Sequence, residues 1–440
     1  MKPLALSLCL FLFCGAVGAA EEEVLTVEQA VLGAYSANRL LKASELETLK
    51  AQEMTAAAKS LHFPGVKVYG LASRAFDPIT FTVPKGSLGV VPPLGPFPVT
   101  DMNITAANDV YGVMAAQMAF PLSQHYKINM AVQARKLQTE ISLQDLRSAR
   151  NDVRTGVEKL FYGILQAQSG IEAARMLELV YEDAMSDMEN YRAEKAVLDS
   201  DYYKVKAKLL RSRYDRLKAE NALADLKRQL NNAMGRDMDT PFSVAMPPEP
   251  VEADVPAEAS VSAVAQRPDV KRAVFRASQA GYDAKIKKAE YIPDLSLTAS
   301  YVRFLNTTYI PNDISGVGLM LSWDIFDWGK RGHELEEKRR TAQQAEKLLD
   351  EQREKAAIDL RAKRAALSES AAFVQVAKME KTAADETLRV ARDKFEEKAI
   401  LGKDLYAARA ASAEAELNFR KAVTDFYLAR TQYRQASGEE

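Results

Sequence analysis

Hydrophobic and polar positions along this chain follow two periods, and the period changes at matching landmarks twice. Val27 to Phe63 and Val261 to Ile292 are amphipathic with helical spacing, and each ends at a proline, Pro64 or Pro293. Beyond each proline the pattern alternates: "GVKVYGLAS" from Gly65, and "DLSLTASYV" from Asp294, where Leu295, Leu297, Ala299 and Tyr301 alternate with Ser296, Thr298 and Ser300. Period two predicts a strand with one apolar face. A turn-rich loop then leads to a second alternating run, Tyr111 to Phe120 and Gly316 to Phe326, the latter holding Leu319 and Leu321. None of the 17 prolines falls in Leu122 to Thr240 or in Asn312 to Glu440. An interior proline costs a helix about 3 kcal/mol, so these tracts, rich in Ala, Leu, Glu, Lys, Arg and Gln, predict very long helices. Leu335, Ala342, Leu349 and Ala356 recur every seventh residue, and Leu360, Leu367 and Val374 continue after a four-residue step. That seam predicts coiled-coil packing.

Each proline-free tract must fold back, because the phrase "EKAVLDSDYY" from Glu194 returns as "EKAILGKDLY" from Glu397. Gly402, with Asp199 in its place in the first copy, marks the turn of a helical hairpin. The chain is therefore an internal duplication. The first repeat spans 21–240, with strands near 65–76 and 110–120 and a hairpin over 122–235 whose tip lies near 196–201. The second spans 261–436, with strands near 294–305 and 315–326 and a hairpin over 329–436 whose tip lies near 399–404. A proline-rich acidic linker, "MPPEPVEADVPA" from Met246, occupies 241–260 between them. The apolar, proline-rich stretch Asp77 to Asp109 reads as a long loop.

Residues 1–20 have one Lys, an apolar run from Leu4 to Phe13, and small residues ahead of Glu21. This is the anatomy of a cleaved secretory signal. Both cysteines, Cys9 and Cys14, lie inside it, so cleavage leaves no thiol for disulfides or cysteine chemistry. Bulky Phe13 stands before Cys14, where a lipoprotein signal carries a small residue. The formal net charge of −1 calls for no nucleic-acid partner. No later stretch approaches ~20 consecutive apolar residues, so any membrane crossing uses strands. Four strands of about ten residues have the length to cross a bilayer at a tilt. They cannot close a barrel, and an open edge in lipid is untenable. Three copies pooling twelve strands are the smallest set that leaves a lumen. The other reading of the pattern is a soluble sheet packed on helices.

"LMLSWDIFDWGKRG" from Leu319 resembles the strand-to-helix junction of the TolC-like outer-membrane efflux protein family, the outer-membrane factors. "QMAFPLSQHYK" from Gln117 is a degraded counterpart without the glycine, and "QRPDVKRA" from Gln266 resembles a further family signature. The resemblance spans Thr26 to about Ala436. It implies a mainly α protomer with a β-barrel part: a homotrimer forming a 12-stranded outer-membrane barrel continued by a periplasmic α-helical tunnel. It further implies an exit duct of a tripartite efflux or type I secretion system, working with a periplasmic adaptor and an inner-membrane pump of the RND, ABC or similar class. A periplasmic coiled-coil adaptor is the alternative, although an adaptor has one hairpin.

Leu295, Leu297, Leu319 and Leu321 are then the candidate lipid-facing positions. At the tips Val197, Leu198, Ile400, Leu401 and Gly402 are candidate adaptor contacts, with packing between the arms as the other account. Asp201 and Asp404 begin the returning helices, where an Asp caps a helix for about 1 kcal/mol. The resemblance adds a constriction role at the periplasmic entrance, weakened because Ala407 stands one turn past Asp404 and Lys204 follows Asp201. Gly156, Gly163 and Gly170, seven apart, are either tolerated or a stripe against which another element lies. "HELEE" from His333 lacks the second histidine of a helical zinc site, and "DWGKRG" lacks the earlier glycine and the Ser or Thr of a phosphate loop. No catalytic, metal or cofactor residue is assigned.

Overall fold

The computed structural model describes residues 23–77, 79–250, 256, 261–307 and 311–439. The signal-peptide reading and the middle of the linker lie outside the described residues. In chain order the elements are β1 (Glu23–Leu25), α1 (Val27–Ala37), α2 (Arg39–Ser60), β2 (Gly65–Arg74), β3 (Ile79–Val83), β4 (Val90–Val91), β5 (Gly95–Pro96), β6 (Met102–Pro121), α3 (His125–Ala193), α4 (Asp199–Ala233), β7 (Phe242–Val244), α5 (Val261–Gln266), α6 (Pro268–Ala289), β8 (Asp294–Thr307), β9 (Asp313–Ser322), α7 (Lys330–Glu396) and α8 (Gly402–Ser437). The order is the same in both repeats: helix, strand, strand, long helix, turn, shorter helix. The outgoing arms have 69 and 67 residues, and at 1.5 Å per residue each runs about 100 Å. The returning arms have 35 and 36 residues.

Two compact units divide the chain. The strand unit comprises Leu40–Ala149 and Ser260–Asp359. Its sheet runs β2-β6-β8-β9, antiparallel throughout, with β3 extending the β2 side along the far half of β6. The stretch expected as a loop over Asp77 to Asp109 is therefore largely strand. β6 is 20 residues long and starts at Met102. Its second half pairs with β2, and its first half pairs with β3. The last strand is shorter than its alternation suggests, ending at Ser322 rather than near Phe326. Arg331, from the start of α7, donates to the carbonyl of Asp324 and so holds that backbone away from the ladder. Every residue of β9 and all of β2 except Ser73 are exposed, so both outer strands present bare edges and two bare faces.

The hairpin unit comprises the described parts of Met1–Arg39, Arg150–Ala259 and Leu360–Glu440. Its core packs Leu25, Val31 and Ala34 against Phe161 and Ile164 of α3, Leu230 and Met234 at the end of α4, and Phe242. β1 and β7 pair in parallel across it, Leu25 opposite Val244. Thr26 and Gln29 form a reciprocal capping box that fixes where α1 begins. On α7 the heptad seam is buried as its spacing requires: Leu360, Leu367 and Val374 are at most 2% exposed. Of the glycine stripe, Gly163 abuts Leu226 and Gly170 abuts Ala219, both on α4, while nothing lies against Gly156.

Candidate functional site

The two hairpin tips are built identically, atom for atom in the backbone. α3 closes with Lys195 N–H donating to Arg192 O (3.0 Å) and Ala196 N–H to Tyr191 O (2.8 Å). α7 closes with Lys398 N–H donating to Phe395 O (2.9 Å) and Ala399 N–H to Lys394 O (2.8 Å). This pair of bonds needs a left-handed residue, and it falls on Lys195 (φ 57°) and Lys398 (φ 58°). The turn was expected at Asp199 and Gly402, but these are the first residues of α4 and α8. Gly402 lies at a close approach: a Cβ there would sit 3.4 Å from Asp187 Oδ2 and 3.5 Å from the Tyr406 ring, in van der Waals contact.

Leu198 and Leu401 occupy the N-cap positions, which provide no side-chain cap. They project into solvent, 70% and 64% exposed, while Val197 and Ile400 are half-buried. Val197, Leu401 and Gly402 line a cleft of about 650 Å³ with Met188, Tyr191 and Tyr406. Asp201 and Asp404 sit in the first turns of their helices as capping requires, yet neither accepts a bond there from a backbone amide. Asp201 instead takes Lys204 Nζ at 3.0 Å, and Asp404 makes no ion pair among the described residues. What remains for both is the favourable end of the helix dipole.

A ladder of polar contacts that local sequence reasoning misses joins α3 to α8. Asp152 meets Gln435 (3.0 Å), Glu158 meets Thr431, Gln166 meets Thr424 and Asp425 (2.9 and 2.8 Å), Glu172 meets Arg420, Asp183 meets Arg409 (3.2 Å) and Asp187 meets Tyr406 (2.8 Å). The helices run antiparallel, so the rungs climb α3 as they descend α8. Glu158 is only 3% exposed, and Arg154 at 2.9 Å together with the Thr431 hydroxyl offsets its desolvation. A Glu among Val157, Leu160 and Phe161 was the one local signal for this seam.

The strand register brings all four apolar candidates to one face. Leu295 pairs with Leu321 and Leu297 with Leu319, and Phe120 lies opposite Leu297 on β6. The other face carries Ser296, Thr298 and Ser300 beside Met320, Gly318 and Gly316, and Gln117 with Lys67 farther along.

Residues 259–439 match the model of the outer membrane efflux protein family. The match covers the second repeat. The fold extends the likeness over nearly the whole chain. A membrane protein from Pseudomonas aeruginosa aligns at TM-score 0.77 with 17% identity over 95% of this chain and 91% of its own. The CmeC outer membrane channel of Campylobacter jejuni aligns at 0.79 with 15% identity over 94% and 85%. The outer membrane protein VceC of Vibrio cholerae aligns at 0.75 with 14% identity over 94% and 96%. No curated protein sequence matches the chain. At these identities the solved structures show the fold, which is that of outer membrane channels.

Within the matched segment, the junction after β9 follows from its residues. Asp327 accepts from Gly329 N–H (3.1 Å), Arg331 N–H (3.1 Å) and Arg331 Nε (2.6 Å), capping α7. The Arg331 bond holds the Asp327 carboxyl below the usual carboxylate range. Gly329 (φ 83°) lets the chain turn into that cap, and Trp328 is left-handed too (φ 56°), an uncommon state for a bulky residue. It leaves the indole 89% exposed and in edge contact with Phe326, ring centroids 4.9 Å apart. Trp323, Ile325 and Phe326 are also exposed. Tryptophans in such a cluster suit a membrane–water boundary.

The tip rung at Tyr406 carries a testable consequence. Burial, then the Asp187 bond and charge, push the Tyr406 phenol up to about 12. A raised value means that the neutral phenol is held in the fold, so this link is complete below the phenol's ordinary 10.0 and is lost as pH climbs through about 12. A difference titration at 295 nm between the wild type and Tyr406→Phe should show one phenol ionising near pH 12. A difference centred at 10 would mean that the rung is absent in solution.

Proposed function

We propose that three copies of this chain assemble into an outer-membrane exit duct of a tripartite efflux or type I secretion system. The observation that carries the reading is the five-stranded sheet, in which the path β2-β6-β8-β9 has one apolar face and, among the described residues, two uncovered outer strands. In lipid each unpaired backbone group costs several kcal/mol, so the edges need partners of the same kind. Joining β9 of one copy to β2 of the next repeats head to tail and closes at twelve strands, enough for a lumen. Leu295, Leu297, Leu319 and Leu321 then face lipid, and Ser296, Thr298 and Ser300 face the lumen. The exposed aromatic cluster at the end of β9 sits at the periplasmic boundary. The two repeats, with the linker between them, place two hairpins per copy in a periplasmic tunnel. Two hairpins and paired strands favour a duct over an adaptor, which needs one hairpin and no membrane strand. Transport through it makes and breaks no bond, and the energy comes from an inner-membrane pump reached through the adaptor.

At the tips, the exposed Leu198 and Leu401 are the adaptor contacts, flanked by Val197, Ile400 and Gly402. Asp404, unpaired, supplies a ring of three carboxylates at the entrance, whereas Lys204 neutralises Asp201. Cysteines at Leu198 and Leu401 should cross-link to an adaptor in cells, and Asp404→Asn should relieve block of single channels by multivalent cations. Cross-links confined to sites far from the tips, or an unchanged block, would remove these roles.

The membrane reading is tested by two neighbouring arginines. Leu297→Arg should cost ~2 to 4 kcal/mol at mid-bilayer and reduce heat-modifiable trimers in the outer-membrane fraction. Thr298→Arg should leave assembly intact. The reverse pattern would invert the assigned faces, and recovery of the wild type as a soluble periplasmic protein would exclude the duct.

A further inference from the structure

The duplicated chain crosses between helix and strand four times, and at one pair of crossovers the repeats have diverged in chemistry while keeping their geometry. In the first repeat, the turn from α2 into β2 is closed by His62 N–H donating to Lys59 O (3.2 Å) and Phe63 N–H to Ser60 O (3.0 Å). The turn from α6 into β8 has the same bonds, Tyr291 N–H to Lys288 O (3.4 Å) and Ile292 N–H to Ala289 O (3.1 Å). His62 and Tyr291 each stand two residues before the proline that opens the strand. His125 and Arg331 each stand five residues after the last phenylalanine of the second alternating run, Phe120 and Phe326, where the chain enters its long helix. In both repeats these two positions meet. His62 Nδ1 lies 2.9 Å from His125 Nδ1, and the Arg331 guanidinium lies 5.4 Å from the Tyr291 ring centre.

The histidine contact is a hydrogen bond in the plane of the rings. The planes differ by 11°, and the 5.1 Å between ring centres exceeds the nitrogen separation by about one ring diameter. The two nitrogens thus lie on the line joining the rings instead of converging on a common point, as two ligands of one metal ion would. Such a bond needs one Nδ1 as donor and the other as acceptor. It forms when both rings are neutral and when one is protonated, and it fails when both are protonated, because two N–H donors and two positive charges then face each other. Phe120 covers His125 edge-on, ring centres 5.7 Å apart. The charged residues within five positions of either ring along the chain are Lys59, Lys67 and Lys127, and Asp294 of β8 lies against Lys127. Lys127 and Asp294 are paired with each other at 2.6 Å. Among the described residues no carboxylate bonds to either ring to stabilise a second proton.

We propose that His62 and His125 form an acid-labile latch between the two crossovers of the first repeat, matched in the second repeat by a latch that acid leaves closed. Imidazole is the side chain that gains its charge in mildly acidic solution, and the first latch opens when the second ring of the pair does so. Arg331 stays charged, and Asp327, held below the usual carboxylate range, remains ionised to anchor it. In the proposed trimer, three acid-labile junctions would alternate with three permanent ones. The latch itself stands on the geometry of one chain.

Hydrogen exchange of the full-length protein in detergent at pH 7.5 and pH 5.0, corrected for intrinsic rates, reads it directly. Amides in 59–66 and 121–128 should lose protection by roughly tenfold at pH 5.0, the scale of one lost hydrogen bond. Those in 288–295 and 327–334 should change less than about twofold by the same scale. His62→Tyr with His125→Arg rebuilds the second-repeat pair in the first and should abolish the acid response. Equal responses of the two repeats in the wild type, or an undiminished response in the double variant, would overturn the proposal. Should the double variant not fold, the comparison between the repeats within the wild type decides alone.

Discussion

A sheet whose outer strands β2 and β9 have no further partner among the described residues is the constraint on which the rest of this structure depends. Backbone N–H and C=O groups along β2 and β9 have partners on one side only, and both strands are bare on both faces. In water such edges invite aggregation, and in lipid they are untenable. The apolar face built from Leu295, Leu297, Leu319 and Leu321 compounds the problem, since Leu319 and Leu321 stand exposed on it. Both difficulties disappear together if the sheet continues into further copies in a bilayer. Asp327, Gly329 and Arg331 carry the chain from that sheet into a helix within a few residues, and the capping bonds of Asp327 define where the helix begins.

The helical part is organised by duplication followed by selective divergence. Both tips keep the same closing bonds and the same left-handed lysine, although a glycine would adopt that conformation without the steric cost of a Cβ. A glycine stands four residues later in the second copy, where α8 approaches Asp187 of α3. Contacts between the first repeat's outgoing helix and the second repeat's returning helix include polar rungs from Asp152 with Gln435 to Asp187 with Tyr406, beside the stacked rings of Tyr162 and Tyr427. Exposed rungs of this type contribute little each, about 1 kcal/mol or less. A seam of many weak rungs fixes register while remaining separable, unlike the apolar seam of Leu360, Leu367 and Val374.

Much of this was legible in the sequence because the governing signals are periodic and local. Alternation from Gly65 and from Asp294, the proline-free tracts, and the repeated tip phrase located the strands, the long helices and the turns. The apolar excursion around Asp77 to Asp109 was misread because its prolines and glycines mask the alternation of β3 and the first half of β6, whose pairing is set by a neighbouring strand. The tip conformation was assigned to Asp199 and Gly402 on residue preference, whereas the closing bonds of α3 and α7 impose it on Lys195 and Lys398. The capping bonds expected of Asp201 and Asp404 are not made, since leucines hold the N-cap positions and Lys204 takes the Asp201 carboxylate. The polar ladder joins residues more than two hundred positions apart, so its pairings are set by the fold, and only Glu158 amid Val157, Leu160 and Phe161 hints at it locally. His62 and His125 are likewise adjacent only because two crossovers of one repeat converge.

The central claim, that the bare edges of β2 and β9 join between copies, is tested most directly by cysteine cross-linking in the outer membrane. One cysteine at Val317 on β9 would be combined in turn with one at Val66, Val68 or Gly70 on β2, positions that share its sheet face. A head-to-tail junction predicts that one of these pairs oxidises efficiently to covalent dimers and trimers, with no larger species. Dimers alone, formed also by the single Val317 cysteine, would mean that β9 pairs with its own copy and would contradict the closed twelve-stranded account.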